Sequence, residues 1–301
     1  MIPIQITNLE QLLNEYYYTI KTFAKTRKWY TELNTWLLNY NYTLEDVVKA
    51  TPSELKLIKD IIPNNNTPLI FQKIYSQFSN SSIGLKYINE NGDSIIYTGI
   101  DLIEQIGITV CPYCNRTYVQ SITNKNQYHK KRRTCEFDHF YPQSEYPFLA
   151  ISFYNLIPSC KTCNHIKGKN PIQFSPYEMN GANLVDFKYN IEGIDYLTDP
   201  KQVSIEIDWK NQDFYESNGK VFGLDDLYKN HNDIAQEILV KRHIYNDTRI
   251  DELWEEYKDL FSSKEEIIQM IAGNYINEED LGKRPLAKLT RDIAREVKFI
   301  K

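Results

Sequence analysis

The 301-residue chain holds five cysteines, too few and too unevenly placed for a disulfide scaffold. In a reducing compartment, paired CxxC motifs more often bind metal than crosslink the chain. No uninterrupted apolar run reaches membrane-spanning length, and the opening Met-Ile-Pro-Ile-Gln-Ile-Thr lacks a basic region followed by an apolar stretch. The expected location is therefore cytoplasmic, with no membrane partner. Positive charge is not in surplus: 35 Lys and Arg stand against 40 Asp and Glu, a formal net charge of -5. That balance excludes a protein that coats nucleic acid with its whole surface, because phosphate binding relies on neutralising lysines and arginines. Any such contact must be local. A phosphate-binding loop of the form GxxxxGKS or GxxxxGKT is missing too, so an ATP-dependent step would need another polypeptide. There is no internal repeat and no low-complexity tail.

What is present is an ordinary globular composition, 42% apolar and 25% charged, in a chain long enough for one large domain or two to three small ones. Tyrosine is abundant, at 23 residues, and Asn, Ile and Lys are plentiful. Aromatics beside basic residues can stack on bases, but a low-GC genome favours the same four residues, and no tyrosine is assigned a function on this ground. The densest basic run is His129-Lys130-Lys131-Arg132-Arg133. Such a run is commonly a solvated loop; its place just before the candidate site below points Arg132 and Arg133 towards substrate phosphate.

Hydrophobic periodicity divides the chain into three parts. Residues 1–104 are mainly helical: Leu9, Leu12, Leu13, Tyr16, Tyr17, Ile20, Phe23 and Ala24 recur at helical spacing, with a capping box expected at Thr7 and Glu10 and a second at Thr51 and Glu54 with Pro52 in the first turn. Asn91-Gly92 predicts a hairpin turn with positive φ at both central residues. Residues 105–180 carry the motifs. Residues 181–301 begin with alternating Val203, Ile205, Ile207 and Trp209, a half-buried strand, followed by a turn at Asn218-Gly219. Helices over 224–239 and 286–297 follow. The expected fold class is α+β, a mostly helical chain with short β-hairpins around a small irregular centre.

The centre reads Cys111-Pro-Tyr-Cys114, then Phe137-Asp138-His139-Phe-Tyr-Pro142, then Asn155-Leu-Ile-Pro-Ser-Cys160-Lys-Thr-Cys163-Asn164-His165-Ile-Lys167-Gly168. Each CxxC sets two thiolates on one tight turn, and two such knuckles complete a tetrahedral zinc site. A redox dithiol is the competing reading of a single CxxC, and one shared zinc accounts for the pair. With four thiolates no position is left for water, so this zinc is structural. Cys135 is the odd cysteine, expected as a buried thiol in a strand. The element stapled between the knuckles contains Asp138 and His139, residue types that hold a catalytic ion and activate a water.

These residues resemble the HNH endonuclease family over about 111–169. The resemblance implies a ββα-metal module, with a first strand ending at His139 and a helix starting near Cys160. It implies His139 as the general base, Asp138 and Asn164 as ligands of a catalytic Mg²⁺ or Mn²⁺, and Asn155 as the brace of the loop that carries the base. Many members have a histidine where this chain has Asn164, which leaves His165 as an alternate ligand. Lys167 and Lys169, just past the second knuckle, are candidate phosphate contacts beside Arg132 and Arg133. The wording around Asp138 and Asn155 is similar to HNH proteins of prokaryotic anti-phage systems, in particular the HNH subunit of Septu systems, which is encoded with an ABC-type or SMC-like ATPase.

The leading expectation is therefore a metal-dependent HNH endonuclease acting on DNA in a defence system, with an ATPase partner. Two alternatives stay open: an HNH ribonuclease acting on tRNA or other RNA, since the motif says nothing of the 2′-OH, and a non-catalytic zinc-stabilised module that binds nucleic acid or protein. The second would have no need of Asp138, His139, Asn155 and Asn164 together.

Overall fold

A computed structural model describes residues 1–124, 130–179 and 184–300; the side chains at 123, 124 and 130–132 lie outside the description. The chain is mixed α/β, rich in helix, with small antiparallel two-stranded sheets. Contacts divide it into two compact units, Pro3–Cys111 with Tyr118–Asn180, and Met1–Ile2 with Pro112–Thr117 and Gly181–Lys301. The N-terminal helices and most of the motif segment thus belong to one unit.

In that first unit, helices Leu9–Thr26, Tyr30–Leu38, Leu44–Lys49, Pro52–Ile61 and Ile70–Ser79 precede a hairpin, Leu85–Ile88 with Ser94–Tyr97, and the helix Gly99–Ile106. Thr51 and Glu54 close a reciprocal capping box with Pro52 at the helix start, and Thr43 with Asp46 and Thr98 with Asp101 do the same. Each such cap is worth about 1 kcal/mol. The box expected at Thr7 and Glu10 does not form. The N-cap is Asn8, which makes no side-chain cap bond, so Thr7 and Glu10 each stand one place too early. The hairpin loop also differs from expectation. Among its described residues only Gly92 has positive φ, at 85°, because Asn89 Oδ1 accepts from the backbone of Asn91 and Asp93 and organises a longer loop.

Aromatic residues fill the core of this unit. Tyr16, wholly buried, meets Phe78 and Phe153 edge-on and donates its hydroxyl to Ile151 O at 3.1 Å. Phe78 stacks on Phe137 at 5.6 Å. Gly99 permits the close approach of its helix to the same ring: a methyl group there would meet Phe137 Cε2 at 2.9 Å.

The second unit is built on the antiparallel pair Val185–Ile191 and Val203–Trp209, whose inward residues Val185, Phe187, Val203, Ile205 and Ile207 are buried. Phe187 packs on Tyr228 at 4.3 Å. The expected turn at Asn218-Gly219 is instead a buried π-helical segment, Tyr215–Gly219, where Gly219 lets the Trp209 ring approach. Helicity over 224–239 is interrupted: Leu224–Tyr228 and Asn232–Ile244 are separated by a single 3₁₀ turn. The helix Ala287–Glu296 buries Lys288, Arg291 and Asp292. Their charges are compensated inside: Asp292 accepts from Lys288 Nζ at 2.8 Å, from Arg291 Nε at 2.6 Å and from the backbone of Phe187, and Arg291 also pairs with Glu278. Within this unit the segment Pro112–Thr117 is tied to the helices that follow. Tyr228 donates its hydroxyl to Cys114 O at 2.6 Å. Asn115, at φ 49°, donates to Leu281 O and accepts from Lys288 N. No helix among the described residues is long and apolar enough to cross a membrane.

Candidate functional site

Two antiparallel strands, Glu136–His139 and Leu156–Ser159, pair in the register Glu136↔Ser159 to His139↔Leu156. The chain then turns at Cys160 into the helix Lys161–Lys167. Between the strands lies a loop that includes two short 3₁₀ turns, Pro147–Leu149 and Phe153–Asn155.

Cys111, Cys114, Cys160 and Cys163 are all buried, and their four sulfurs lie within 4.8 Å of one another. Thiolates bound at about 2.3 Å at the corners of a tetrahedron stand roughly 3.8 Å apart, so the cluster fits a zinc ion after small adjustment. The knuckle geometry agrees: Cys160 caps the helix by accepting from Cys163 N at 3.4 Å, which leaves both sulfurs on one turn. No disulfide joins any of the described cysteines. Cys135 is buried but sits in a bend just before the strand, and burial pushes its thiol up to about 11.

The strand Glu136–His139 presents two different faces, because successive side chains point to opposite sides. Glu136 and Asp138 meet the helix Lys161–Lys167. Asn164 Nδ2 donates to Glu136 Oε2 at 2.6 Å, and Lys167 Nζ donates to Asp138 Oδ1 at 3.1 Å and to His139 O at 2.8 Å. Asn164 and Lys167 are one turn apart, so they form two rungs between strand and helix. Phe137 and His139 face the other way, towards the helix Ile70–Ser79. Phe137 stacks on Phe78, and the His139 imidazole lies 4.4 Å from the Tyr75 ring, centroid to centroid, at 67°.

His139 Nε2 lies 3.1 Å from Ala150 O. A carbonyl oxygen only accepts, so the proton sits on Nε2, and Nδ1 carries the lone pair. Burial pushes the imidazole down to about 4, against the opposing effect of the Ala150 bond, and the Lys167 charge lowers it further. At neutral pH the ring is the uncharged, proton-accepting form. Asn155, wholly buried, accepts from Tyr141 N at 2.7 Å and donates to Tyr141 O at 3.2 Å and to Leu149 O at 2.9 Å. It ties both ends of the loop that supplies Ala150 O.

The remaining sequence candidates are scattered. Lys167, expected at substrate phosphate, is instead fully buried in its ion pair with Asp138; its long stem lies across the module and its charge answers a carboxylate, which corrects the expectation. His165 and Lys169 are exposed. Arg133 lies over the Phe137 ring at 5.8 Å, and its Nη1 is buried with no hydrogen-bond partner among the described residues. The Arg132 side chain lies outside the described residues. Two residues that sequence reasoning passed over belong to the site. Glu136 carries a signal in hindsight, being two places before Asp138 on a strand and hence on its face. Tyr75 carries none, since it lies 64 positions from His139 on a separate helix.

Comparison with known proteins finds similarity to the Septu protein PtuB of Bacillus thuringiensis, 32% identical over 94 residues that make up 28% of this chain and 37% of that protein. The matched stretch thus spans little more than a third of the relative. No family model matches, and no solved structure matches.

Proposed function

We propose that the chain is a metal-dependent HNH endonuclease that hydrolyses phosphodiester bonds, DNA foremost, in anti-phage defence. The observation that carries this reading is the strand–strand–helix unit closed by four cysteines, in which His139 has its Nε2 fixed on Ala150 O while Asp138 and Asn164 line the strand–helix face. On this reading each residue has a task. Nδ1 of His139 takes the proton of the attacking water. Asn155 keeps the loop, and through it Ala150 O, in the place that selects this tautomer. Glu136 accepts from Asn164 Nδ2, which turns the amide so that Oδ1 remains as an oxygen donor. Asp138 supplies the carboxylate and is paired with Lys167. Oxygen donors of this kind suit Mg²⁺ or Mn²⁺, and such an ion, when bound, stabilises charge on the scissile phosphate and the leaving 3′-oxygen. The defence role rests on the similarity to the Septu protein, and with it a partner of the ABC or SMC-like ATPase class.

The test is cleavage by purified protein, alone and with its gene-neighbour product, of plasmid DNA and of tRNA in the presence of Mg²⁺, Mn²⁺ or chelator. His139→Ala is expected to lower the rate by about 10²–10⁴-fold while the four-cysteine site keeps its zinc. Undiminished cleavage by that variant overturns the assignment of the base, and cleavage that survives chelation overturns the one-metal mechanism. Preference for tRNA reassigns the substrate class.

A further inference from the structure

We propose that Tyr75, from a helix outside the motif segment, is a positioning residue that holds the His139 imidazole in its reactive orientation. The inference rests on the nuclease reading of His139. Its argument is geometric. The ring is tethered at Cβ, and among the described residues the hydrogen bond from Nε2 to Ala150 O is the one bond that sets its rotation about Cβ–Cγ. The Tyr75 ring, edge-on at 4.4 Å and 67°, packs directly against the imidazole and opposes that rotation.

The placement of Tyr75 is itself determined by packing. Tyr75 and Phe78 stand three residues apart on the helix Ile70–Ser79, a rise of about 4.5 Å, and Phe137 and His139 stand two apart on the strand, about 6.6 Å. The Phe78–Phe137 stack, with Phe78 wholly buried and also packed against Tyr16 and Tyr97, sets the register of helix on strand. Once that pair is seated, the next pair along is Tyr75 with His139. The hydroxyl of Tyr75 makes no hydrogen bond among the described residues and meets the charges of Arg133, Asp138 and Glu136 only at Coulombic range, whereas the ring has a neighbour in direct contact. The N-terminal helices therefore complete the site rather than merely carrying it.

The experiment compares Tyr75→Phe and Tyr75→Leu in the full chain, with turnover and ¹⁵N-resolved imidazole spectra of His139 as readouts, and with zinc content and thermal melting as fold controls. In the native protein a single neutral tautomer with the proton on Nε2 is expected. Tyr75→Leu is expected to show mixed tautomers or broadened imidazole signals and a kcat lowered by about 10–100-fold at unchanged KM, the scale of a catalytic group displaced by an ångström or less. Tyr75→Phe, which keeps the ring, is expected to restore both. An unshifted imidazole spectrum in Tyr75→Leu overturns the proposal, and so does a Tyr75→Phe protein as impaired as Tyr75→Leu, which would place the effect in the hydroxyl. Should Tyr75→Leu fail to fold, Tyr75→Met tests the same point with an adaptable side chain. The spectra also separate the two readings, because a native protein without nuclease activity still reports whether Tyr75 orders the imidazole.

Discussion

The four-cysteine cluster and the strand–helix face beside it use different logic. The cluster draws its ligand atoms from four like groups: the sulfurs are all buried and mutually within 4.8 Å, and the bonds from Tyr228 to Cys114 O and around Asn115 hold the backbone of a knuckle. The Asp138–Asn164 face is the opposite. Each donor there is held by a second residue, Asp138 by Lys167 and Asn164 by Glu136, and the imidazole is held by Ala150 O and Tyr75. On the proposed reading, the structural centre is held mainly by its own four ligands, while the catalytic one depends more on the residues that stand behind its ligands.

The most direct way to break this contrast is to open the closed centre. Cys163→Ala removes one thiolate from a cluster that fits zinc, an ion that contributes about 10–16 kcal/mol in small zinc domains, against total stabilities of about 5–15 kcal/mol for ordinary domains. The expected result is loss of bound zinc, measured by metal analysis, together with loss of a cooperative thermal transition. A variant that melts as the native protein does, without zinc, would show that the cluster is dispensable and the contrast false.

A smaller effect is expected on the other side, at the ion pair. Lys167 and Asp138 are both buried, with side-chain exposures of 0% and 3%, so Lys167→Met strands a carboxylate in the interior. Breaking a buried pair in this way costs about 3–5 kcal/mol, to be read from urea unfolding. Asp138→Asn combined with Lys167→Met removes both charges and is expected to recover most of that loss. If the double variant is no more stable than Lys167→Met alone, the pair is not what supports the strand–helix contact, and Lys167 acts through His139 O.

How much of this was legible in the sequence follows the same division. The knuckles announce themselves by spacing, because a tight turn forces the chemistry into adjacent positions, while the strand ending at His139 and the helix at Cys160 were legible only through the resemblance those residues carry. The supporting contacts are not local. Asn155 was legible only through resemblance, since nothing in its neighbours says that its amide will meet Tyr141 and Leu149. Tyr75 was invisible, because pairing a helix at residue 75 with a strand at residue 139 is decided by which aromatic seats first in the core. Lys167 misled for a related reason: a lysine after a knuckle is ordinarily solvated, and only the burial of Asp138 turns it inward. At the chain start, Thr7 and Glu10 matched a capping box but the helix began one residue later, an offset to which propensity is blind.

The finest cut concerns Glu136. It is partly exposed, and its bond to Asn164 is a single contact, so Glu136→Gln is expected to change unfolding free energy by no more than about 1 kcal/mol. Its effect on metal should be larger than its effect on fold. A glutamine side chain can donate as well as accept, so it no longer dictates which way the Asn164 amide turns, and outer residues of this kind typically alter metal affinity by about 10–100-fold. Mn²⁺ titration followed by electron paramagnetic resonance is the measurement, with Asp138→Asn as the reference for losing a ligand outright. A decrease at Glu136→Gln smaller than that at Asp138→Asn places Glu136 behind the ligands. A decrease as large would make Glu136 a ligand itself, and the open centre would then carry two carboxylates on one strand face, nearer in kind to the closed one than the present comparison holds.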